Sequence, residues 1–261
     1  MQLVLLDFRR LMLLAIVVTL TACVSSHTVV NSKVINNDEA LAAHVDLALK
    51  YIKRGNWEQA KRKLKIAYEI DSNSVHVHEA LALVFQNTGE FDLAEKHFEK
   101  ALSIDSDFSR ARNNYAVFLF SQQRFEEACK QLKIVVSDTL YDSRMQALTN
   151  LGTCSLKIKD YREAEVAFKR ALTLDPKNSL AMLELAYIYY QQKSYPDSNY
   201  YYHQYRSEAR RQSARALLLG VKLADQSNDR DGKASFAMAL KNLYPRSREY
   251  QAYLKEYPGE R

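Results

Sequence analysis

Glycine and proline are scarce in this chain, at 6 Gly and 4 Pro among 261 residues. So few turn formers exclude a β protein with many tight turns, and they leave no glycine-rich loop to cradle a phosphate. No GxSxG, HExxH, P-loop or GxGxxG pattern occurs, which removes the common hydrolase, zinc-protease and nucleotide-binding signatures. His76 and His78 are two apart and would point to different faces of a helix, a poor metal pair. His78, Glu79 and the scattered carboxylates read as solvent-facing helical residues. Long single-sign charge is also missing: 37 basic and 31 acidic residues are interspersed for a net charge of +6. No nucleic-acid motif accompanies that mild excess. The expectation is a protein that is no enzyme and takes no cofactor, metal, nucleic acid or small-molecule substrate.

What is present is periodic. Gly55-Asn56-Trp57-Glu58-Gln59-Ala60 returns 34 residues later as Gly89-Glu90-Phe91-Asp92-Leu93-Ala94. It returns again as Gln123-Arg124-Phe125-Glu126-Glu127-Ala128 and, after a slip of two residues, as Lys159-Asp160-Tyr161-Arg162-Glu163-Ala164. This period and pattern resemble the tetratricopeptide repeat (TPR), a helical hairpin that stacks on copies of itself. Repeats then begin near 41, 75, 109, 145, 179 and 213, with the insertion near Ser137–Asp142.

The eighth residues are small (Ala48, Ala82, Ala116, Gly152, Ala186, Gly220), as are the twentieth (Ala60, Ala94, Ala128, Ala164, Ser198, Gly232). The twenty-fourth are large (Leu64, Phe98, Leu132, Phe168, Tyr202, Phe236). Two helices of a hairpin approach closely only where side chains are small, and a large neighbour fills the space beside the contact. The aromatics at position 17 (Trp57, Phe91, Phe125, Tyr161, Tyr195) are expected to plug the hairpins. Asp, Ser and Asn between hairpins are expected to end one helix and cap the next. Tyr250, Tyr253, Leu254 and Tyr257 share one face of a last helix that would cap the array. The expected fold is all-α: a right-handed superhelical solenoid of six TPR hairpins plus a C-terminal capping helix, over residues 38–261.

Residues 1–22 read as a secretion signal, with Arg9 and Arg10 before the apolar run 11–20. That run is short for a membrane span, which needs about 20 apolar residues. It ends in Leu20-Thr21-Ala22-Cys23, which resembles the bacterial lipobox, and the resemblance implies lipidation of Cys23. Residue 24 is Val rather than Asp, which by the same resemblance implies release to the periplasmic face of the outer membrane. Residues 23–37 read as a lipidated flexible tether.

By resemblance to TPR proteins, certain first-helix positions face the inner groove. They give Val45, Leu49 and Ile52 in the first repeat, Leu83 and Gln86 in the second, and Arg110, Asn113, Asn114, Val117 and Phe120 in the third. Asn150 follows in the fourth, and Leu183, Tyr187 and Tyr190 in the fifth. Asn114 and Asn150 share position 6, and a pair of carboxamides can clamp an extended peptide backbone. The apolar stripes serve equally as core or as docking surface. Cys129 and Cys154 fall in adjacent helices flanking the insertion; in an oxidising periplasm they form either a disulfide or two separate buried thiols.

A lipobox, a short tether and six TPRs together resemble the type IV pilus biogenesis lipoproteins of the PilF/PilW family. The resemblance spans essentially the whole chain and rests on the combination of parts. It implies a pilotin: a scaffold that binds a secretin subunit and, through its lipid, promotes the secretin's outer-membrane localisation and multimerisation for pilus biogenesis and twitching motility. The residues leave open two other uses of the scaffold, in outer-membrane β-barrel assembly and as an adaptor for peptidoglycan enzymes.

Overall fold

A computed structural model describes residues 36–259. By its contacts the chain divides into residues 1–40, described only from 36 onward, and residues 41–261. The signal, Cys23 and most of the tether lie outside the described residues.

The described residues form 13 α-helices and no strand. In chain order they are α1 (Asn37–Lys53), α2 (Trp57–Ile70), α3 (Val75–Thr88), α4 (Phe91–Ile104), α5 (Ser109–Ser121), α6 (Phe125–Val135) and α7 (Arg144–Lys157). There follow α8 (Tyr161–Leu174), α9 (Ser179–Gln191), α10 (Tyr195–Glu208), α11 (Ala214–Gln226), α12 (Arg230–Leu243) and α13 (Arg248–Glu256). They make six successive hairpins, α1–α2 to α11–α12, with α13 packed against α11 and α12 at the end. This is the TPR solenoid.

Close packing follows from the small residues. Ala48, Ala60, Ala82, Ala94, Ala116 and Ala128 are fully buried where paired helices meet, and Leu64, Phe98 and Phe168 are fully buried beside them. In the fourth hairpin even alanine is too large: a Cβ on Gly152 would sit 2.7 Å from the Phe168 ring. Buried side chains form a continuous core from the second hairpin to the fifth, with smaller clusters at both ends.

Every hairpin turns the same way. The residue before the last of the turn is left-handed in all six: Gly55, Gly89, Gln123, Lys159, Lys193 and Asn228, with φ from 54° to 83°. The following N–H then reaches back to a carbonyl of the first helix, as in Asn56 N to Tyr51 O and Arg124 N to Leu119 O, both 2.9 Å. This satisfies a carbonyl the helix end would leave orphaned. Between hairpins, Asp71, Asp105 and Asp175 each accept from the N–H two residues on (2.8, 2.9 and 3.0 Å), an Asx turn that stops one helix. Asn178 and Ser213 cap the helices that follow them, whereas the Ser74 side chain makes no cap bond.

Two sequence expectations need correction. Phe91 and Tyr161 do not plug their hairpins; they are 45% and 46% exposed, because the buried space beside the contact is already taken by Phe98 and Phe168. Tyr257 ends α13 as its C-cap instead of lying within the helix.

Candidate partner-binding groove

The first helices of the hairpins carry the predicted groove residues, and the structure sorts them into three kinds. Val45 and Leu183 are core. Val45 packs with Ala67 and Val77, and Leu183 with Met182, Ala186 and Tyr202. The expectation that they line an open groove is corrected: the neighbouring hairpin covers them. Leu49 and Ile52 are half-buried against Ala48, Leu64 and Val84. Leu83 and Tyr190 are also half-buried, Tyr190 with its ring 5.7 Å from that of Tyr195. Gln86 is half-buried, with Oε1 shielded from solvent and unpaired.

The second kind is polar and paired across the seams between hairpins. Glu79 on α3 is 1% exposed. Arg110 on α5 donates to it from Nε (2.9 and 3.0 Å) and from a terminal nitrogen (2.6 Å), while Asn114 Nδ2 donates at 2.9 Å. A buried carboxylate is costly unless it is paired and hydrogen-bonded, and this one is both. Three hairpins further on, the arrangement recurs. Glu184 on α9 is buried and takes both terminal nitrogens of Arg215 on α11, one of them at 2.9 Å. The Arg215 guanidinium stacks over Tyr187 at 3.8 Å, and the Tyr187 hydroxyl donates to the Arg215 carbonyl. Burial pushes the Tyr187 phenol above its ordinary pKa.

These clasps correct two readings. His78 and Glu79 do not face solvent; both are buried. Asn114 and Asn150 do not form a matched clamp. Asn114 serves Glu79, while Asn150 accepts from Gln146 (3.1 Å) and donates to Asn113, itself buried, at 3.5 Å. The buried carboxylate takes the amide that would otherwise be free. Glu184 and Arg215 were missed as a site, although the spacing carried a signal: in both clasps Arg follows Glu by 31 residues.

The third kind is accessible. Val117 is 42% exposed, and together with Phe120, Asn150 and Thr153 it lines a cavity of about 100 Å³ over Ala116 and Leu132. Three predicted residues from adjacent first helices thus meet in one apolar notch with a carboxamide at its edge. Such a notch can take one aliphatic side chain of a bound segment while the amide contacts its backbone.

Near the insertion the structure joins Cys129 on α6 to Cys154 on α7 in a disulfide, with Cα atoms 5.6 Å apart. It ties the third hairpin to the fourth. Among the described residues no group of three or more His, Cys, Asp or Glu side chains could hold a metal ion.

Comparison with known proteins agrees with this architecture. The tetratricopeptide-repeat family matches residues 45–107, 88–151 and 146–178. The type IV pilus assembly protein PilF of Pseudomonas aeruginosa is 41% identical over 251 residues, covering 95% of this chain and 98% of that protein. A solved structure of Pseudomonas aeruginosa PilF superposes with a TM-score of 0.78 at 42% identity, over 84% of this chain and 99% of that one. The crystal structure of PilW, a widely conserved type IV pilus biogenesis factor, gives 0.70 at 28% identity over 83% and 99%. The chain belongs to the PilF family of tetratricopeptide-repeat proteins.

Proposed function

We propose that this protein is a lipid-anchored scaffold of type IV pilus biogenesis, a pilotin that binds a secretin subunit and promotes its outer-membrane localisation and multimerisation. The observation that carries this reading is the similarity to a type IV pilus assembly protein over nearly the whole of both chains. The solenoid supplies shape and contacts, with the notch at Val117, Phe120 and Asn150 as the seat for an apolar side chain of the partner. Cys23 supplies the address: its lipid holds the protein at the periplasmic face of the outer membrane. The mechanism is recruitment, so no bond in the partner is made or broken.

The Cys23→Ala variant tests it. The expected result is a folded protein that leaves secretin multimers depleted from the outer membrane. Normal multimers in that membrane would overturn the transport role. Affinity capture from gently solubilised outer membranes is expected to enrich a secretin. Enrichment of barrel-assembly or cell-wall enzymes without any secretin would replace this reading with one of the two other scaffold uses.

A further inference from the structure

Away from the first-helix face, α2 and α4 stand apart over α3 and leave a cleft of about 840 Å³. Its floor is apolar and neutral. Leu64 is fully buried there, and Phe85 stacks on the His97 ring with centroids 5.4 Å apart. His97 Nδ1 lies 2.8 Å from His78 Nδ1, and the other nitrogen of His78 meets the Ser72 carbonyl at 3.1 Å. Burial pulls both imidazoles below their ordinary pKa, His97 to about 4, helped by the nearby Lys96 and Lys100 charges. At neutral pH the floor therefore carries no charge. Tyr68 and Leu93, each 41% exposed, stand at the two edges.

The rim is basic. Lys61 is neutralised by Glu90 at 2.9 Å. Lys65, Lys96 and Lys100 have no carboxylate partner among the described residues, and Glu99 is the one acidic residue lining the cleft. An apolar trough edged by unpaired ammonium groups complements a molecule with a hydrocarbon body and an anionic head. It lies in the first two hairpins, next in the chain to the segment bearing Cys23.

We propose that this cleft docks the protein on an anionic phospholipid, with an acyl chain over Leu81 and Phe85 and the phosphate against Lys65, Lys96 and Lys100. The choice of a membrane lipid among anionic amphiphiles rests on the proposed anchor. That anchor brings the protein to a membrane surface, where an exposed basic rim supplies a further, salt-sensitive contact.

The test uses full-length protein carrying Cys23→Ser in every sample, so that no acyl chain is attached and the N-terminal segment is common to all variants. Binding is measured by co-sedimentation with vesicles of phosphatidylcholine alone or mixed with phosphatidylglycerol. Lys65→Glu with Lys100→Glu is expected to weaken binding to the anionic vesicles by about tenfold or more. Lys130→Glu with Lys177→Glu makes the same change in net charge at exposed positions outside the cleft and is expected to lower it less than about threefold. Leu93→Asp is expected to weaken it as well. Equal losses in the two double variants, or equal binding to both vesicle types, would overturn the proposal. Secretin capture by the same variants reads the pilotin role separately and is expected to be unchanged. Loss of capture with vesicle binding intact would assign the cleft to an acidic protein segment and overturn the lipid.

Discussion

The second and third hairpins share one scaffold and are set apart by the pair of side chains that face each other between their two helices. In the second, His78 and His97 face each other 19 residues apart in sequence; in the third, Arg112 and Gln131 do so at the same separation, 2.6 Å apart. The Arg112 side chain also reaches the Ser106 carbonyl, and Tyr115 and Arg124 converge on Glu95 from the flank (2.9 and 2.6 Å). Charge and hydrogen bonds fill the space beside the third hairpin. The second keeps two neutral rings and an open apolar trough. The third is also bonded covalently to its neighbour, and the second is not. The comparison teaches that the repeat pattern sets helix positions, while residues outside the pattern decide whether a seam is closed, stapled or left open.

The largest way to break this contrast is reduction. Opening the 25-residue Cys129–Cys154 loop is expected to lower stability by about 3 kcal/mol. Urea unfolding with and without reductant reads this, and Cys129→Ala with Cys154→Ala should show no response to reductant. Next comes the clasp joining the two hairpins. Arg110→Ala leaves Glu79 buried without its cation and is expected to cost about 2 to 3 kcal/mol, at the lower end because the Arg110 side chain is half exposed. Denaturation midpoints check it, and a loss below about 0.5 kcal/mol would mean that Asn114 alone satisfies the carboxylate.

Acid separates the hairpins further. Unfolded, the two imidazoles take protons near pH 6.5; folded, both resist, His97 down to about pH 4. The unfolded chain therefore binds more protons within that window, and stability must fall as pH drops from 6.5 toward 4. The expected fall is on the order of 1 to 2 kcal/mol after allowance for partial exposure. It should shrink in His97→Gln, which brings the second hairpin closer to the third. Stability curves between pH 7 and 4 decide. The smallest effect lies at the turns. Gly89→Ala forces a side chain into a left-handed residue and is expected to cost about 1 kcal/mol, whereas Gln123→Gly relieves the same strain and should gain a few tenths. Thermal midpoints of the two variants should move in opposite directions.

The period of 34 and the alternation of Ala48, Ala82 and Ala116 with Leu64, Phe98 and Leu132 made the hairpins legible in the sequence, because helix packing is set by side-chain size at fixed positions. The capping helix was legible too, since Tyr250 and Tyr253 bury a face that no polar segment would offer. The groove was less legible. Periodicity names the side of a helix and is silent on whether the next hairpin covers it, which is why Val45 and Leu183 entered the core while Val117 stayed open. Pairings across seams, such as Glu79 with Arg110, depend on the approach of different repeats; one chain read alone shows them only through a matching spacing, here repeated at Glu184 and Arg215.

A stack whose units touch only their neighbours melts like a row of dominoes, each hairpin losing support when the next one opens. The Cys129–Cys154 bridge sits between the third and fourth of six hairpins, so fraying that starts at either end runs inward and meets it near the middle. Amide hydrogens in α5 to α8 should therefore exchange last, and the first two hairpins, with the lysine-edged cleft, belong to the outer half that opens more readily.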